Sequence, residues 1–179
     1  MPENILIEPL DSEVHDRAAF SSLVAATDNF LKKTAKKLMK GGTSKVFVAI
    51  DHSGDPSRIL GFYSLNAHTV DCGDLPNRYK RYALPDNTIP AAFIGMMGVD
   101  HAYHGEGIGS ILLADALGGA YQTTRAMGTA MVVLDVLNCG IPENIDRRQN
   151  FYIKHGFLSM PSDPLRMYIP MDTIENLLG

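Results

Sequence analysis

The sequence predicts a mixed α/β fold, with a central sheet of about six to seven strands flanked by helices. Short runs rich in β-branched and aromatic residues alternate with amphipathic stretches of helical spacing along the chain. With 179 residues, of which 45% are hydrophobic, the chain is long enough to bury a core. We therefore expect residues 1–179 to form a single domain.

Seven segments have the composition of strands, and turn signals separate them. They are Ile5–Ile7, Lys45–Ile50, Arg58–Val70, Ala91–Asp100, Ala130–Leu137, Phe157–Met160 and Arg166–Pro170. The turn-forming sequence Asp51–Pro56 predicts an antiparallel hairpin between the second and third strands. The stretch Asp71–Pro90, which contains proline and glycine, is predicted to be a long loop.

Four segments have helical spacing of their apolar residues. They are Ser12–Thr27, Asn29–Lys40, Ile111–Met127 and Ile145–His155. Asp28 is the expected N-cap of the second helix, and Gly41 with Gly42 is its expected end. The lysines of this helix are predicted to lie opposite its apolar face, and they are Lys32, Lys33, Lys36, Lys37 and Lys40.

Composition limits the class of protein. A net charge of −4 argues against a chain that coats nucleic acid through bulk charge, although it allows a local basic patch. The two cysteines, Cys72 and Cys139, form neither a disulfide framework nor a metal-binding motif, so we expect reduced thiols and no metal. The N-terminus lacks a signal peptide, and no apolar run approaches the ~18 residues of a membrane span. We expect a soluble cytoplasmic protein with no membrane partner.

The segment Val99–Leu113 carries the first chemical signal. A buried strand ends here, glycines follow at positions 105, 107 and 109, and an amphipathic helix begins. Such glycines let backbone N–H groups converge, and a helix N-terminus adds positive potential, so the segment predicts a phosphate or pyrophosphate cradle. The lysine of a P-loop is missing, and the glycine spacing does not fit the dinucleotide-binding fingerprint.

The second signal is Asn150–Phe157, where a predicted helix ends at Gly156 before a strand. With the glycine segment, it makes the chain resemble the GCN5-related N-acetyltransferase (GNAT) superfamily. Gly107, Ile108 and Gly109 fit the acetyl-CoA loop of that superfamily, and Phe151, Tyr152, Gly156 and Phe157 fit its late-helix motif. One departure is His104, which stands where the loop motif usually has Gln or Arg.

This resemblance implies acetyl-CoA as the cofactor, bound in a cleft between two splayed parallel strands, and CoA as a product. The implied cofactor-binding residues are Met97, Gly98, Val99, His104, Gly105, Glu106, Gly107, Ile108, Gly109, Ser110, Asn138 and Phe151. The His104 imidazole is expected to donate a hydrogen bond to the pyrophosphate. Tyr152 is expected to be catalytic, because a phenol with a pKa of ~10 can protonate the departing thiolate.

A narrower resemblance is to the acetyltransferase toxins of bacterial toxin–antitoxin modules. The matching segments are Asp28–Ala35, Thr43–Val48, Leu60–Leu65, Ile89–Pro90 and Asp163–Pro170. This resemblance implies acetylation of the α-amine of aminoacyl-tRNA, which blocks translation. It also implies a small ribbon-helix-helix antitoxin as partner and a homodimer as an option.

No carboxylate lies in the strand Ala91–Val99, so a general base is hard to assign. An α-amine with a pKa of ~7.7–8.0 needs less help to lose its proton than a lysine amine of ~10.4, which favours an α-amine acceptor. Asp135 is a rival base, although a buried polar group with satisfied hydrogen bonds is the plainer interpretation. His101 and His155 are expected to be surface or capping residues.

Basic residues suggest where RNA would bind. Like charges one helical turn apart mildly destabilise a helix, so the lysine run favours a surface that meets phosphates. The expected substrate-binding residues are Lys32, Lys36, Lys40, Arg78 and Arg81. Lys80 could extend this patch, and Arg147 and Arg148 could flank the acetyl site.

Two other functions stay open at this stage. One is a GNAT enzyme that acetylates a small-molecule amine or a protein N-terminus. The other is a non-catalytic regulator that uses the fold to hold acetyl-CoA or a protein partner. Loss of biological activity in Tyr152→Phe would argue against the non-catalytic regulator.

Overall fold

The structure is a computed structural model that describes residues 2–179. Its strands are β1 (Ile5–Pro9), β2 (Lys45–Asp51), β3 (Ile59–Asp71), β4 (Thr88–Val99), β5 (Met131–Asp135), β6 (Leu158–Ser159) and β7 (Arg166–Pro170). They form a seven-stranded mixed sheet in the order β1-β2-β3-β4-β5-β7-β6. The predicted fold class is confirmed.

Strand pairing follows the hydrophobic pattern. The predicted hairpin is present, since β2 and β3 pair antiparallel with Val48 opposite Phe62. The strands β4 and β5 pair in parallel from Ala91 opposite Met131 to Ile94 opposite Leu134. Because β4 continues to Val99, its last residues extend beyond this parallel register.

The helices are α1 (Ala25–Asn29), α2 (Ala35–Lys40), α3 (Ile108–Thr123), α4 (Pro142–Lys154) and α5 (Met171–Leu178). A π-helical turn, Phe30–Thr34, joins α1 to α2. Gly42, at a φ of 70°, follows the end of α2, as predicted. The sequence-based prediction missed α5 and placed the start of α3 three residues too late, at Ile111.

The predicted helix Ser12–Thr27 is wrong, because most of this stretch is turns. The Asp16 carboxylate accepts the N–H groups of Ala18 and Ala19, which closes a turn in place of a helical ladder. Leu23 has a φ of 65°, which ends any helix before Ala25.

Asp28 does not cap a helix, because it lies inside α1. Its carboxylate instead accepts the backbone N–H and the hydroxyl of Ser22, at 2.8 and 2.7 Å. The N-cap prediction is therefore wrong, and this carboxylate ties the preceding turn to the helix. The predicted long loop Asp71–Pro90 also contains structure, namely two 3₁₀ turns, Cys72–Asp74 and Asn77–Tyr82, before β4 begins.

Two compact units make up the chain. The first comprises residues 1–66 and 95–116, and its core includes Phe20, Leu31, Val48 and Phe62. The second comprises residues 67–94 and 117–179, and its core includes Val70, Ile89, Val133 and Tyr168. The single domain expected over the whole chain stays a prediction.

Among the helices of residues 2–179, none is both long enough and apolar enough to cross a membrane.

Candidate active site

The end of β4 is fixed by a buried carboxylate. Asp100, which follows the strand, is 1% exposed. It accepts the N–H groups of Ser21 and Ala102, at 3.1 and 3.0 Å, and Arg58 lies 3.7 Å away. The chain therefore leaves β4 in a defined direction toward the glycine turn.

Two glycines of that turn have left-handed backbone conformations. Gly105 has a φ of 82° and Gly107 a φ of 81°, and no atom lies within 4 Å of where a Cβ would stand on either. The glycines are required by the backbone conformation rather than by crowding. The helix α3 begins at the next residue, Ile108, so its first N–H groups lack intrahelical acceptors. This geometry can hold an anion such as a pyrophosphate.

The His104 ring contacts the end of β4, the strand that precedes it. Its Nε2 lies 3.0 Å from the carbonyl oxygen of Val99. Because a carbonyl only accepts, Nε2 carries a hydrogen. A neutral ring has no second hydrogen to donate to a pyrophosphate, so donation as expected from the sequence requires the protonated ring or a different rotamer. In the same turn, the Oε2 atom of Glu106 is buried with no hydrogen-bond partner among the described residues.

The last residues of β4 are open along their backbone. Gly95 is exposed, and Met96 through Val99 are only partly buried. The Met96 N–H donates to the Ser64 hydroxyl at 2.9 Å rather than to a strand carbonyl, so the strand departs locally from a regular ladder. At Gly98 a Cβ would collide with the Thr27 side chain, which explains the glycine. This stretch can therefore offer backbone groups to an extended ligand.

Tyr152 lies on α4 in an aromatic cluster. Its ring centroid is 5.2 Å from that of Phe151 and 5.7 Å from that of Phe157. Burial raises the pKa of the Tyr152 phenol to about 12, while the positive charge of Arg148 opposes this rise. The phenol is therefore protonated throughout the physiological range, as a proton donor must be.

The end of α4 is closed by two residues of the late-helix motif. The Nδ1 atom of His155 lies 2.7 Å from the Phe151 carbonyl oxygen, which confirms the predicted capping role of this histidine. Gly156 follows with a φ of 93°, a conformation that favours glycine. His101 is largely exposed, as expected for a surface residue, and its Nδ1 lies 2.9 Å from the Ser21 carbonyl oxygen.

Arg148 connects α4 to the segment after β5. Its Nη1 donates to the Leu137 carbonyl at 3.3 Å and to the Cys139 sulfur at 3.1 Å, and this contact lowers the pKa of the Cys139 thiol. The Asn138 side-chain oxygen accepts the N–H of Gly140 at 3.0 Å. The expected cofactor residue Asn138 thus forms a turn beside the helix that carries Tyr152.

Asp135 is not the buried polar group expected from the sequence, because its side chain is 48% exposed. Both of its oxygens accept from the Arg166 guanidinium, at 2.7 and 2.9 Å. A carboxylate held in such a pair is a poor proton acceptor, so the structure disfavours Asp135 as a base.

His68 is a partly buried polar side chain that no sequence motif points to. Its ring lies tilted against Phe93, with the centroids 4.8 Å apart, and its Nε2 has no partner among the described residues. Burial and the charge of Arg166 lower the pKa of His68, so the ring is neutral.

The expected substrate residues are placed as follows. Lys36 and Lys40 are exposed, whereas Lys32 is partly buried, so the lysine face is less uniform than predicted. Arg78 and Arg81 each lie over a neighbouring tyrosine ring, at 5.0 and 4.7 Å from the centroid. These contacts hold both guanidinium groups near the protein surface.

The glycine turn at the start of α3 and the protonated tyrosine on α4 are each compatible with a transferase that uses a CoA thioester. The family model for the acetyltransferase (GNAT) domain matches residues 42–158. The chain therefore belongs to the GNAT acetyltransferase family, and the resemblance drawn from the two motifs is confirmed.

Two curated relatives point to one branch of that family. The chain is 44% identical to a probable toxin TacT of Sinorhizobium fredii, over 97% of this chain and 95% of the relative. It is 30% identical to a tRNA-acetylating toxin of Mycobacterium tuberculosis, over 94% of this chain and 93% of the relative. The narrower resemblance to acetyltransferase toxins is confirmed.

Two solved structures share the fold. AtaT complexed with acetyl-methionyl-tRNAfMet has a TM-score of 0.84 and 21% identity, covering 98% of this chain and 100% of that one. A mutant of AtaT bound to acetyl-CoA and the C-terminus of the antitoxin AtaR has a TM-score of 0.79 and 18% identity, covering 98% and 99%.

Proposed function

We propose that this protein transfers the acetyl group of acetyl-CoA to the α-amine of aminoacyl-tRNA, and that it acts as a toxin by blocking translation. The observation that carries the proposal is the near full-length match to two toxins, one of them named for tRNA acetylation. The glycine turn and Tyr152 supply the two chemical functions that such a reaction needs.

The described residues fit acetyl-CoA, which would supply an activated acetyl thioester. Its pyrophosphate suits the turn of residues 104–110, where two left-handed glycines precede the N-terminus of α3. Its pantetheine arm suits the partly buried stretch Met97–Val99 at the end of β4. Asn138 is assigned to the cofactor because its turn precedes α4, and Phe151 because it lies on α4 beside Tyr152.

The reaction balances with one proton donor from this chain. The neutral amine nitrogen forms a bond to the acetyl carbon, and the carbon–sulfur bond breaks. The Tyr152 phenol gives its proton to the departing thiolate, and the proton lost by the new amide nitrogen restores the phenol, directly or through water. An α-amine with a pKa of ~7.7–8.0 is partly neutral at physiological pH, so this step needs no strong base.

The RNA would meet a basic surface on an otherwise acidic protein. Lys32, Lys36 and Lys40 on the helix of residues 25–40 are assigned to phosphate contacts, as are Arg78 and Arg81. The relevant compartment is the cytoplasm, where charged tRNA is found. We propose a ribbon-helix-helix antitoxin as the inhibitor and a homodimer as the assembly.

The test is to incubate the purified protein with acetyl-CoA and a pool of charged tRNA, and to detect N-acetyl-aminoacyl-adenosine by mass spectrometry. We expect the product with the wild type and its loss in Tyr152→Phe. Deacylated tRNA serves as the negative control. A protein that binds acetyl-CoA but acetylates no charged tRNA would contradict the proposal and point to a small amine or a protein N-terminus.

A further inference from the structure

A groove of about 410 Å³ in the first unit is not used by the proposed mechanism. It lies where the chain leaves β1, beside the helix that carries the lysine run. The residues that line it are Pro9, Leu10, Asp11, Ser12, Lys36 and Met39. We call it the Lys36 groove.

A buried histidine fixes the wall of this groove. His15 is 4% exposed, its Nδ1 accepts the N–H of Asp11 at 2.9 Å, and its Nε2 lies 2.9 Å from a Glu8 carboxylate oxygen. Because Nδ1 accepts, the hydrogen lies on Nε2 and is donated to Glu8. The N–H of Leu10 is bonded to the Val46 carbonyl at 2.8 Å. The groove is therefore formed before any ligand binds.

The chemistry of the walls fits a nucleotide. Pro9, Leu10 and Met39 provide an apolar surface for a flat ring, and the exposed Lys36 ammonium can meet a phosphate. The Asp11 carboxylate can accept from an amino group, as carboxylates do from cytosine. Uracil has no amino group and lacks this contact.

The charge beside the groove has the right sign for RNA. Lys36 pairs only weakly with Glu13, at 3.8 Å, since both side chains are mostly exposed. Four other lysines share its helical segment, namely Lys32, Lys33, Lys37 and Lys40. This surplus of positive charge favours a polyanion over a neutral ligand.

We propose that the Lys36 groove binds one unpaired nucleotide of the RNA substrate, with the base against Leu10 and Met39, its amino edge on Asp11 and its phosphate on Lys36. Proteins commonly read RNA by capturing unstacked bases in this way. The groove therefore prefers cytosine or adenine over uracil. This inference rests on the proposed function, because it takes RNA to be the substrate.

The direct test measures binding of fluorescent tetracytidylate, tetraadenylate and tetrauridylate by anisotropy at low salt. We expect the first two to bind the wild type about tenfold more tightly than the third, and Asp11→Asn to shrink that difference. Ser12→Trp fills the groove and should weaken tetracytidylate binding about tenfold. Lys36→Glu should weaken it more than Lys154→Glu, which makes the same charge change at an exposed position of α4 in the second unit.

Circular dichroism and acetyl-CoA affinity show whether each variant is folded. If Ser12→Trp misfolds, the comparison of Lys36→Glu with Lys154→Glu decides the question. Wild-type binding of all three oligonucleotides by folded Ser12→Trp would overturn the groove assignment. The assignment would also be overturned by a groove variant that loses affinity for a protein partner but keeps RNA binding, because the groove would then be a protein-binding surface.

Transfer kinetics separate this inference from the proposed function. With charged tRNA, Ser12→Trp should raise the KM for tRNA about tenfold while kcat and the KM for acetyl-CoA stay unchanged. Wild-type kinetics in Ser12→Trp would overturn the groove but leave the toxin chemistry standing. Absence of transfer by the wild type would overturn the proposed function, whereas tetranucleotide selectivity would still be decided by the binding experiment.

Discussion

In the proposed reaction, the glycine turn and the tyrosine helix would contribute by opposite means. In the turn, the useful groups are backbone N–H groups, and the requirement on the sequence is a positive φ at Gly105 and Gly107. In α4, the useful group is a single phenol, and its surroundings are aromatic rings and the charge of Arg148. The proposal therefore predicts that the glycine turn controls how tightly the ligand binds and that Tyr152 controls how fast it reacts.

Tyr152→Phe should give the largest effect and should fall on the chemical step alone. Loss of a general acid costs about 10²–10⁴-fold in rate, so kcat should drop by that factor while acetyl-CoA affinity changes little. Single-turnover transfer to charged tRNA measures the rate, and calorimetry measures affinity. Tyr121→Phe, which removes only an exposed bond to Glu175, is the matched control and should keep the wild-type rate.

Gly107→Ala should weaken acetyl-CoA binding and change the rate of the chemical step little, the reverse of Tyr152→Phe. A left-handed conformation costs a residue with a Cβ about 1–2 kcal/mol, so acetyl-CoA should bind about five- to thirtyfold more weakly as the turn relaxes. Gly118→Ala in α3, where the φ is ordinary and no atom lies within 4 Å of the new Cβ, should bind normally. Equal affinities for the two variants would show that the turn does not hold the cofactor.

Arg148→Met tests the electrostatics around Tyr152 and should lower the rate less than Tyr152→Phe. Burial already raises the pKa of Tyr152 to about 12, and Arg148 opposes the rise, so removing its charge should move the pKa further up. The phenol donates its proton less readily as its pKa rises, so the rate should fall by about a few-fold. Ultraviolet titration of tyrosinate checks the direction, and a downward shift would contradict this account.

Asp135→Asn should give the smallest effect of the four substitutions, and it should change neither the glycine turn nor the surroundings of Tyr152. The pair with Arg166 is 48% and 34% exposed on its two sides, so its loss should lower the free energy of unfolding by about 0.2–1 kcal/mol. Urea denaturation measures this change. The transfer rate should stay near that of the wild type, and a loss of a hundredfold or more would restore Asp135 as the general base.

Local signals explain what could be predicted from the sequence. The glycine turn and Tyr152 stand in short motifs whose chemistry depends on residue type, so both could be proposed as site residues without coordinates. The strand Arg166–Pro170 and the hairpin of β2 and β3 also have the expected places, because their β-rich composition and turn sequence are local.

Side-chain competition explains what could not be predicted. In residues 11–23, aspartate side chains accept backbone N–H groups, so turns replace the helix that apolar spacing favours. The role of Asp28 depends on Ser22, six positions earlier, and cannot be read from helix-capping statistics. The Lys36 groove and the environment of His68 could not be predicted, because both depend on packing between distant segments.

The π-helical turn Phe30–Thr34 gives the lysine helix one place where its length can change. Its i→i+5 bonds enclose one more residue than those of an α-helix, so a single-codon deletion there can close the turn to regular α-helix and leave the faces on both sides in place. A deletion within α2 has no such residue to remove, and losing Lys36 would move the partly buried Leu38 to the exposed place of Lys37. Over evolutionary time, this helix can lose a residue in the π turn but not in α2.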